Sequence, residues 1–163
     1  MKHILLIDDD EAVRLSVAFL LQSHGFAVVT AANGREGLRL CDEQPPDLVI
    51  TDIMMPEIDG IETIMALRRA SPDMPIVAMS GGWHPGDVRL LSMVAKLGAT
   101  ETLAKPFDCD ELLAAIGRCE QHSPASKASR GESLMQALDD RRFACLVKRH
   151  TETPAPVTEA TPV

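Results

Sequence analysis

The sequence has 163 residues, of which 45% are hydrophobic and 3% are aromatic, so the chain can bury an aliphatic core of one ordinary domain. Its net charge of −8 argues against a nucleic-acid surface. Residues 1–120 carry 10 basic and 19 acidic side chains (−9), whereas residues 121–163 carry 6 and 5 (+1), so the acidity belongs to the part expected to fold.

No signal for a cysteine-based metal site, a membrane span or a secretory leader is visible. The four cysteines show no C-x-x-C pairing, and no run reaches the roughly 18 apolar residues of a membrane helix. The first residues, Met1-Lys2-His3, lead directly into an apolar run rather than into a signal peptide. We therefore expect a cytoplasmic protein with free thiols and no membrane insertion.

Short apolar runs alternate with segments of helical period five times along the chain. Runs of four or five residues that are apolar on both faces suit a parallel sheet covered by helices on both sides. Five β-α units in a row predict a doubly wound α/β fold with a five-stranded parallel sheet. The predicted strands are Ile4–Ile7, Ala27–Ala31, Leu48–Thr51, Ile76–Met79 and Thr102–Ala104.

Several predicted helices have recognisable ends. Asp10 is expected to cap the first helix, whose apolar stripe starts at Val13 and which ends at His24-Gly25. Three further starts place an acceptor three residues before an acid, as in a capping box. These pairs are Asn33 with Glu36, Asp59 with Glu62, and Asp108 with Glu111.

The composition changes after residue 120. Residues 121–130 have a linker composition, and the apolar members of 133–150 favour one further helix of imperfect period. Residues 151–163, rich in Thr, Pro and Ala, are expected to be disordered. The predicted organisation is a domain over residues 1–120 followed by a linker and tail over residues 121–163.

Charged and polar side chains follow four of the predicted strands. Asp8 and Asp9 come after the first strand, and Asp52 comes after the third. Ser80 follows the fourth strand and Lys105 follows the fifth. In an open parallel sheet the ligand site lies outside this carboxyl edge, so we expect these side chains to converge there.

This set of side chains predicts a metal-assisted phosphoryl site. Clustered carboxylates repel one another unless a proton or cation offsets them, and oxygen ligands in a partly hydrated site suit Mg²⁺. Lys105 supplies a point charge for a phosphoryl oxygen, and Pro106 after it permits a cis peptide bond. A carboxylate nucleophile, a divalent ion, a lysine and a hydroxyl are the parts needed to form an acyl phosphate.

The chain resembles the response regulator receiver domains of two-component signalling over about residues 2–120. The resemblance rests on the acidic pair Asp8-Asp9, the motif D-x-x-M-P-x-x-D-G from Asp52 to Gly60, Ser80, and Lys105-Pro106, in that order. It implies a flavodoxin-like strand order 2-1-3-4-5 with helices on both faces.

The resemblance also implies a role for each site residue. Asp52 would accept a phosphoryl group from a histidine kinase or phosphotransfer protein. Asp9, Asp52 and the main-chain carbonyl of Met54 would hold Mg²⁺, with Asp8 helping through water. Lys105 would contact the phosphoryl group, and Ser80 would turn toward it after transfer. Such a domain is a phosphoprotein rather than an enzyme acting on other substrates.

Two departures from the family pattern concern how the phosphorylated state is signalled. Thr102 occupies the position three before the lysine where the family often has an aromatic residue. The interval from Ser80 to Lys105 is slightly longer than in compact members of the family. The sequence predicts that the loop Trp83–Gly86 reports phosphorylation instead of a ring flip.

We expect a stand-alone receiver that acts on a downstream protein target rather than directly on nucleic acid. A second copy of the chain is a further candidate partner.

Two other functions remain open from the sequence. One is a phosphorylation-independent interaction module on the same fold, which the missing aromatic residue favours. The other is a haloacid-dehalogenase-type phosphatase, suggested by Asp8-x-Asp10 after an apolar strand. Glu11-Ala12 break that family's pattern, and the motif that begins at Asp52 would then be unexplained.

Overall fold

Five strands and five helices alternate strictly in a computed structural model of the chain. The structure describes residues 1–56, 60–81 and 88–122, and at residues 88–91 and 122 it describes only the backbone. The strands are β1 His3–Ile7, β2 Ala27–Ala31, β3 Leu48–Asp52, β4 Ile76–Ser80 and β5 Glu101–Ala104. The helices are α1 Glu11–Ser23, α2 Gly34–Glu43, α3 Gly60–Ala70, α4 Val88–Leu97 and α5 Cys109–His122.

All five strands form one parallel sheet in the order β2-β1-β3-β4-β5. This confirms the predicted fold class and strand order, and each predicted strand is found within one residue of its observed ends. Strands β3 and β4 are buried along their whole length. The edge strands β2 and β5 are partly exposed, because each has a neighbouring strand on one side only.

The two faces of the sheet bury separate hydrophobic clusters because successive side chains on a strand point to opposite faces. On β1, Leu5 and Ile7 pack with residues of α2, α3 and α4, whereas Ile4 and Leu6 pack with residues of α1 and α5. The chain therefore positions helices on both faces and leaves the carboxyl edge of the sheet for loops.

Side-chain caps begin several helices as predicted. Asp10 accepts hydrogen bonds from the backbone N–H groups of Ala12 and Val13 at the start of α1. Asp108 and Glu111 form a reciprocal capping box at α5. At α2 the Asn33 side chain accepts from the Glu36 N–H, but the Glu36 carboxylate accepts from the N–H of Ala32 rather than Asn33.

At the opposite, amino edge of the sheet, Arg68 ties three segments together. Its guanidinium donates to the carbonyls of Gly98 at 2.6 Å and Pro72 at 2.9 Å, to the carbonyl of Met74, and to the Thr100 hydroxyl at 2.9 Å. The turns that enter β4 and β5 are therefore fixed to the end of α3, on the edge remote from the charged side chains.

Some sequence predictions concern residues outside the described part of the chain. These are Asp59 as a cap, the loop Trp83–Gly86, the linker from residue 123 onward, the helix 133–150 and the disordered end. The predicted start of the linker at residue 121 is wrong, because α5 continues through residues 121 and 122. Within the described part, Cys41, Cys109 and Cys119 are free thiols. Among those residues, no helix combines the length and apolar character that a membrane crossing requires.

Candidate functional site

Three carboxylates meet at the carboxyl edge of the sheet. Ile7 pairs with Thr51 across β1 and β3, so the residues that follow them, Asp8 and Asp52, end neighbouring strands. Asp8, Asp9 and Asp52 each offer one oxygen within a group whose members lie within 4.8 Å of one another. Asp8 is completely buried, Asp52 is buried and Asp9 is exposed, so the cluster opens to solvent on the Asp9 side.

Lys105 lies between the two buried carboxylates. Its ammonium donates to Oδ2 of Asp8 at 2.7 Å and also to Oδ2 of Asp52. Because β5 lies two strands from β3, the four-carbon stem must cross the end of β4 to reach them. The side chain of Lys105 is only 19% exposed, so this ion pair is largely withdrawn from water.

Burial and pairing act in opposite directions on these groups. Burial raises the pKa of Asp8 above its ordinary value of 3.8, and the Asp52 charge adds to this, although Lys105 and the Asp10 N–H oppose it. Burial by itself lowers the pKa of Lys105, but its hydrogen bonds to Asp52 and Asp8 and their charges outweigh burial, so the pKa lies above 10.5. The Lys105 side chain therefore stays protonated. The buried negative charge of Asp8 would be stabilised by a further cation.

These pKa directions predict an alkaline loss of stability in metal-free buffer. The pKa of Lys105 is raised on folding. Its contribution to the free energy of unfolding is therefore fully present below pH 10.5 and disappears as the pH rises through the folded-state pKa. We expect the difference in unfolding free energy between wild type and Lys105→Met to stay constant from about pH 8 and to shrink above about pH 10.5. Urea unfolding at several pH values measures this difference; a difference that stays the same or grows above about pH 10.5 would contradict it.

The end of β3 holds Asp52 by short local contacts. The backbone N–H of Met54 donates to Oδ1 of Asp52 at 2.9 Å, which leaves Oδ2 for Lys105. The N–H of Gly60, the first residue of α3, donates to the Ile53 carbonyl at 3.0 Å. A Cβ on Gly60 would lie 2.0 Å from the Asp52 carbonyl oxygen, so only glycine allows α3 to begin this close to the strand end.

Ser80 and Lys105 come from adjacent strand ends. Ser80 is buried, and its carbonyl accepts a hydrogen bond from the Lys105 N–H at 2.7 Å. In the register of the sheet, Met79 is the partner of Asp52, so Ser80 lies one residue beyond Asp52 toward the same edge. The Lys105–Pro106 peptide bond is cis. Thr102, two strands from β3, is half-buried and pairs with Ala78.

The donors present fit a hard divalent cation. Carboxylate oxygens are the ligands that Mg²⁺ takes in proteins, and the exposed side at Asp9 leaves room for the waters this ion retains. Lys105 offsets only part of the charge of three carboxylates, so the cluster still favours a further cation. The Met54 carbonyl as a ligand stays a prediction.

The sequence does not reveal how two residues, Arg14 and Gly60, shape this site. Arg14 donates from Nη1 to the Asp8 carbonyl at 2.8 Å, and Gly60 permits the close approach of α3 to Asp52. Gly60 ends the sequence motif that begins at Asp52, but the motif alone does not show that the helix approaches the strand end this closely. Arg14 gave no signal because a helical arginine usually faces solvent, and its contact depends on the rotation of α1.

Comparison with known proteins agrees with this arrangement. The model of the response regulator receiver domain family matches residues 4–117. The transcriptional regulatory protein FixJ of Bradyrhizobium diazoefficiens is 39% identical over 127 residues, which cover 77% of this chain and 60% of FixJ. The transcriptional regulatory protein GlrR of Escherichia coli is 34% identical over 134 residues, which cover 82% of this chain and 30% of GlrR. The matched part of the chain thus spans 60% of the length of FixJ and 30% of the length of GlrR.

Solved structures give the same answer. A response regulator receiver domain protein from Clostridium thermocellum superposes with a TM-score of 0.69 at 32% identity. The superposition covers 74% of this chain and 95% of the Clostridium thermocellum chain. The chemotaxis protein CheY4 of Vibrio cholerae has a TM-score of 0.66 at 33% identity, with coverage of 73% and 98%. Both likenesses extend over nearly the whole of the compared chains.

Proposed function

Because this chain belongs to the response regulator receiver domain family of two-component signalling, we propose that it accepts a phosphoryl group on Asp52 from a histidine kinase or phosphotransfer protein. The observation that carries the proposal is the Lys105 ammonium shared by the buried carboxylates of Asp8 and Asp52. This contact supports the proposal because the carboxylate that would act as nucleophile and the ammonium that would meet the transferred group lie side by side at the open edge of the sheet.

The residues suggest a simple sequence of events. A carboxylate oxygen of Asp52 forms the new O–P bond while the P–N bond to the donor histidine breaks and the departing imidazole takes up a proton. Lys105 then exchanges its contact with Asp52 for a phosphoryl oxygen and keeps its hydrogen bond to Asp8. Ser80, buried at the next strand end, supplies a hydroxyl for another phosphoryl oxygen.

Asp8, Asp9 and Asp52 would hold Mg²⁺, with the Met54 carbonyl as a fourth donor. When bound, the ion would supply positive charge that offsets both the carboxylates and the phosphoryl oxygens. Asp9 is the exposed member of the cluster and would be the first to meet an incoming ion.

The signal would leave through protein contacts. A phosphoryl dianion that recruits Lys105 and Ser80 pulls on the ends of β5 and β4, and so biases the conformation of that side of the fold. The proposed domain is residues 1–120, and α5 extends it to His122. FixJ and GlrR are named as transcriptional regulatory proteins and are longer than this chain. For this chain we propose a separate protein as the downstream target.

A phosphorylation-independent interaction module is the second candidate. Thr102, half-buried on β5, provides no aromatic ring whose rotation could couple Ser80 to the surface. This observation favours a domain that presents its surface without switching, although every side chain of the phosphoryl site is present.

Intact-mass measurement after incubation with acetyl phosphate and Mg²⁺ tests the proposal. We expect wild type to gain one phosphoryl group, and Asp52→Asn, which keeps the shape but loses the nucleophilic oxygen, to gain none. Removing Mg²⁺ with EDTA should prevent the gain. Asp47→Asn, which changes an exposed aspartate before β3 at the opposite edge of the sheet, should leave it intact. A wild type that binds Mg²⁺ but gains no mass would favour the phosphorylation-independent module.

A further inference from the structure

Arg14 holds the turn that carries two of the three clustered carboxylates. It lies in the first turns of α1, is half-buried, and donates from Nη1 to the carbonyl of Asp8 at 2.8 Å. That carbonyl belongs to the peptide group that joins Asp8 to Asp9. Because a peptide group is planar, fixing the direction of the Asp8 carbonyl also fixes the direction in which the chain enters Asp9.

Other hydrogen bonds hold the two sides of this turn but not the peptide group itself. The Asp8 carboxylate accepts from the Asp10 N–H at 3.0 Å, and the Asp10 carboxylate accepts from Ala12 and Val13. The Arg14 N–H donates to the Asp10 carbonyl at 2.9 Å as part of α1. The guanidinium of Arg14 therefore supplies the contact that ties the Asp8–Asp9 peptide group to the helix.

The contact is geometric rather than a charge pairing with the cluster. Nη1 meets a neutral carbonyl, whereas the ionised groups that shift the pKa of Asp8 are Lys105 and Asp52. A guanidinium close to a cation site would on charge alone oppose the binding of a second cation. Any favourable effect of Arg14 on cation binding must therefore come from how it orients Asp8 and Asp9.

We propose that Arg14 is a positioning residue that orients the Asp8–Asp9 turn for divalent-cation binding. This inference rests on the proposed function, since it assumes that the three carboxylates hold Mg²⁺. It predicts that loss of the arginine weakens cation binding even though it removes a repelling positive charge. A positioning role therefore predicts weaker Mg²⁺ binding without the arginine, whereas its charge alone predicts tighter binding.

Titration with Mg²⁺ alone, followed by the amide NMR shifts of residues 8–14 in the full chain, tests the inference. Arg14→Met keeps much of the side-chain volume but donates no hydrogen bond, and we expect its Mg²⁺ affinity to fall about tenfold. Arg14→Lys retains a donor on a stem that can reach the carbonyl, and should restore the affinity to within about threefold of wild type. Hydrogen exchange of the Asp10 amide in the metal-free protein should accelerate in Arg14→Met and not in Arg14→Lys.

Arg39→Met is the matched control. Arg39 lies on the exposed surface of the second half of α2, where it pairs with Glu43, and its loss removes the same charge without touching the turn. Its Mg²⁺ affinity should equal that of wild type. Unchanged or tighter binding in Arg14→Met would overturn the positioning role. Absence of Mg²⁺ binding in wild type would instead overturn the proposed function, so the two failures are distinguishable.

Discussion

Replacing Lys105 with methionine is expected to lower the free energy of unfolding by about 3 kcal/mol at neutral pH without Mg²⁺. The ammonium is the cation that pairs with the buried carboxylates of both Asp8 and Asp52. Without it, two negative charges remain close together at a site that is largely withdrawn from water. Burial already raises the pKa of Asp8. Protonation of this carboxyl group should therefore remove the repulsion in the variant, which should gain stability relative to wild type as the pH falls.

Urea unfolding with and without Mg²⁺ measures this effect. Added Mg²⁺ should stabilise Lys105→Met more than wild type, because the ion then meets carboxylates that no ammonium neutralises. The double variant Lys105→Met/Asp52→Asn should recover part of the loss, since it removes one of the two repelling charges. Lys2→Met is the control: Lys2 pairs with Glu120 with half of its side chain exposed, and its loss should cost under about 1 kcal/mol. Equal losses for Lys105→Met and Lys2→Met would contradict a buried, shared ammonium.

Gly60→Ala is expected to lower the free energy of unfolding by about 3 kcal/mol. Its added Cβ would lie 2.0 Å from the Asp52 carbonyl oxygen and 2.6 Å from the Cα of Ile53, both of them backbone atoms of a buried segment. Backbone at the end of β3 cannot move aside as a flexible side chain would. Either α3 begins further from the sheet or the end of β3 shifts, and in both cases Asp52 leaves its position beside Lys105.

Gly117→Ala provides the matched control on α5. A Cβ at Gly117 meets nothing within 4 Å, so this change should be neutral or should stabilise the helix by up to about 1 kcal/mol. The two variants make the same chemical change, and urea unfolding compares them directly. A loss at Gly60 no larger than that at Gly117 would show that the end of β3 tolerates a side chain there.

The sequence allowed the fold and the charged cluster to be predicted because both depend on short, local patterns. Apolar runs of four or five residues locate the strands, and the parallel arrangement brings the residues that follow them to one edge. Asp8 follows β1 and Asp52 is the last residue of β3, and these strands are neighbours in the sheet, so the meeting of the two side chains follows from topology alone. The capping residues Asp10 and Asp108 were predictable for the same reason.

Contacts between distant parts of the chain were not predictable in this way. That one ammonium bridges Asp8 and Asp52 depends on the path of the Lys105 stem across the end of β4. The contact of Arg14 depends on the rotation of α1 about its axis, and that of Gly60 depends on how closely α3 approaches β3. Such distances are set by packing of whole elements, which a linear pattern of residue types does not record.

Locating the phosphoryl group on the chain is the measurement that tests the central claim most directly. After incubation with acetyl phosphate and Mg²⁺, borohydride reduction converts an aspartyl phosphate to homoserine, which peptide mass spectrometry assigns to a single residue. We expect homoserine at position 52 and unmodified aspartate at positions 8 and 9. Modification at Asp8 or Asp9 with Asp52 intact would contradict the assignment of Asp52 as the phosphoryl acceptor.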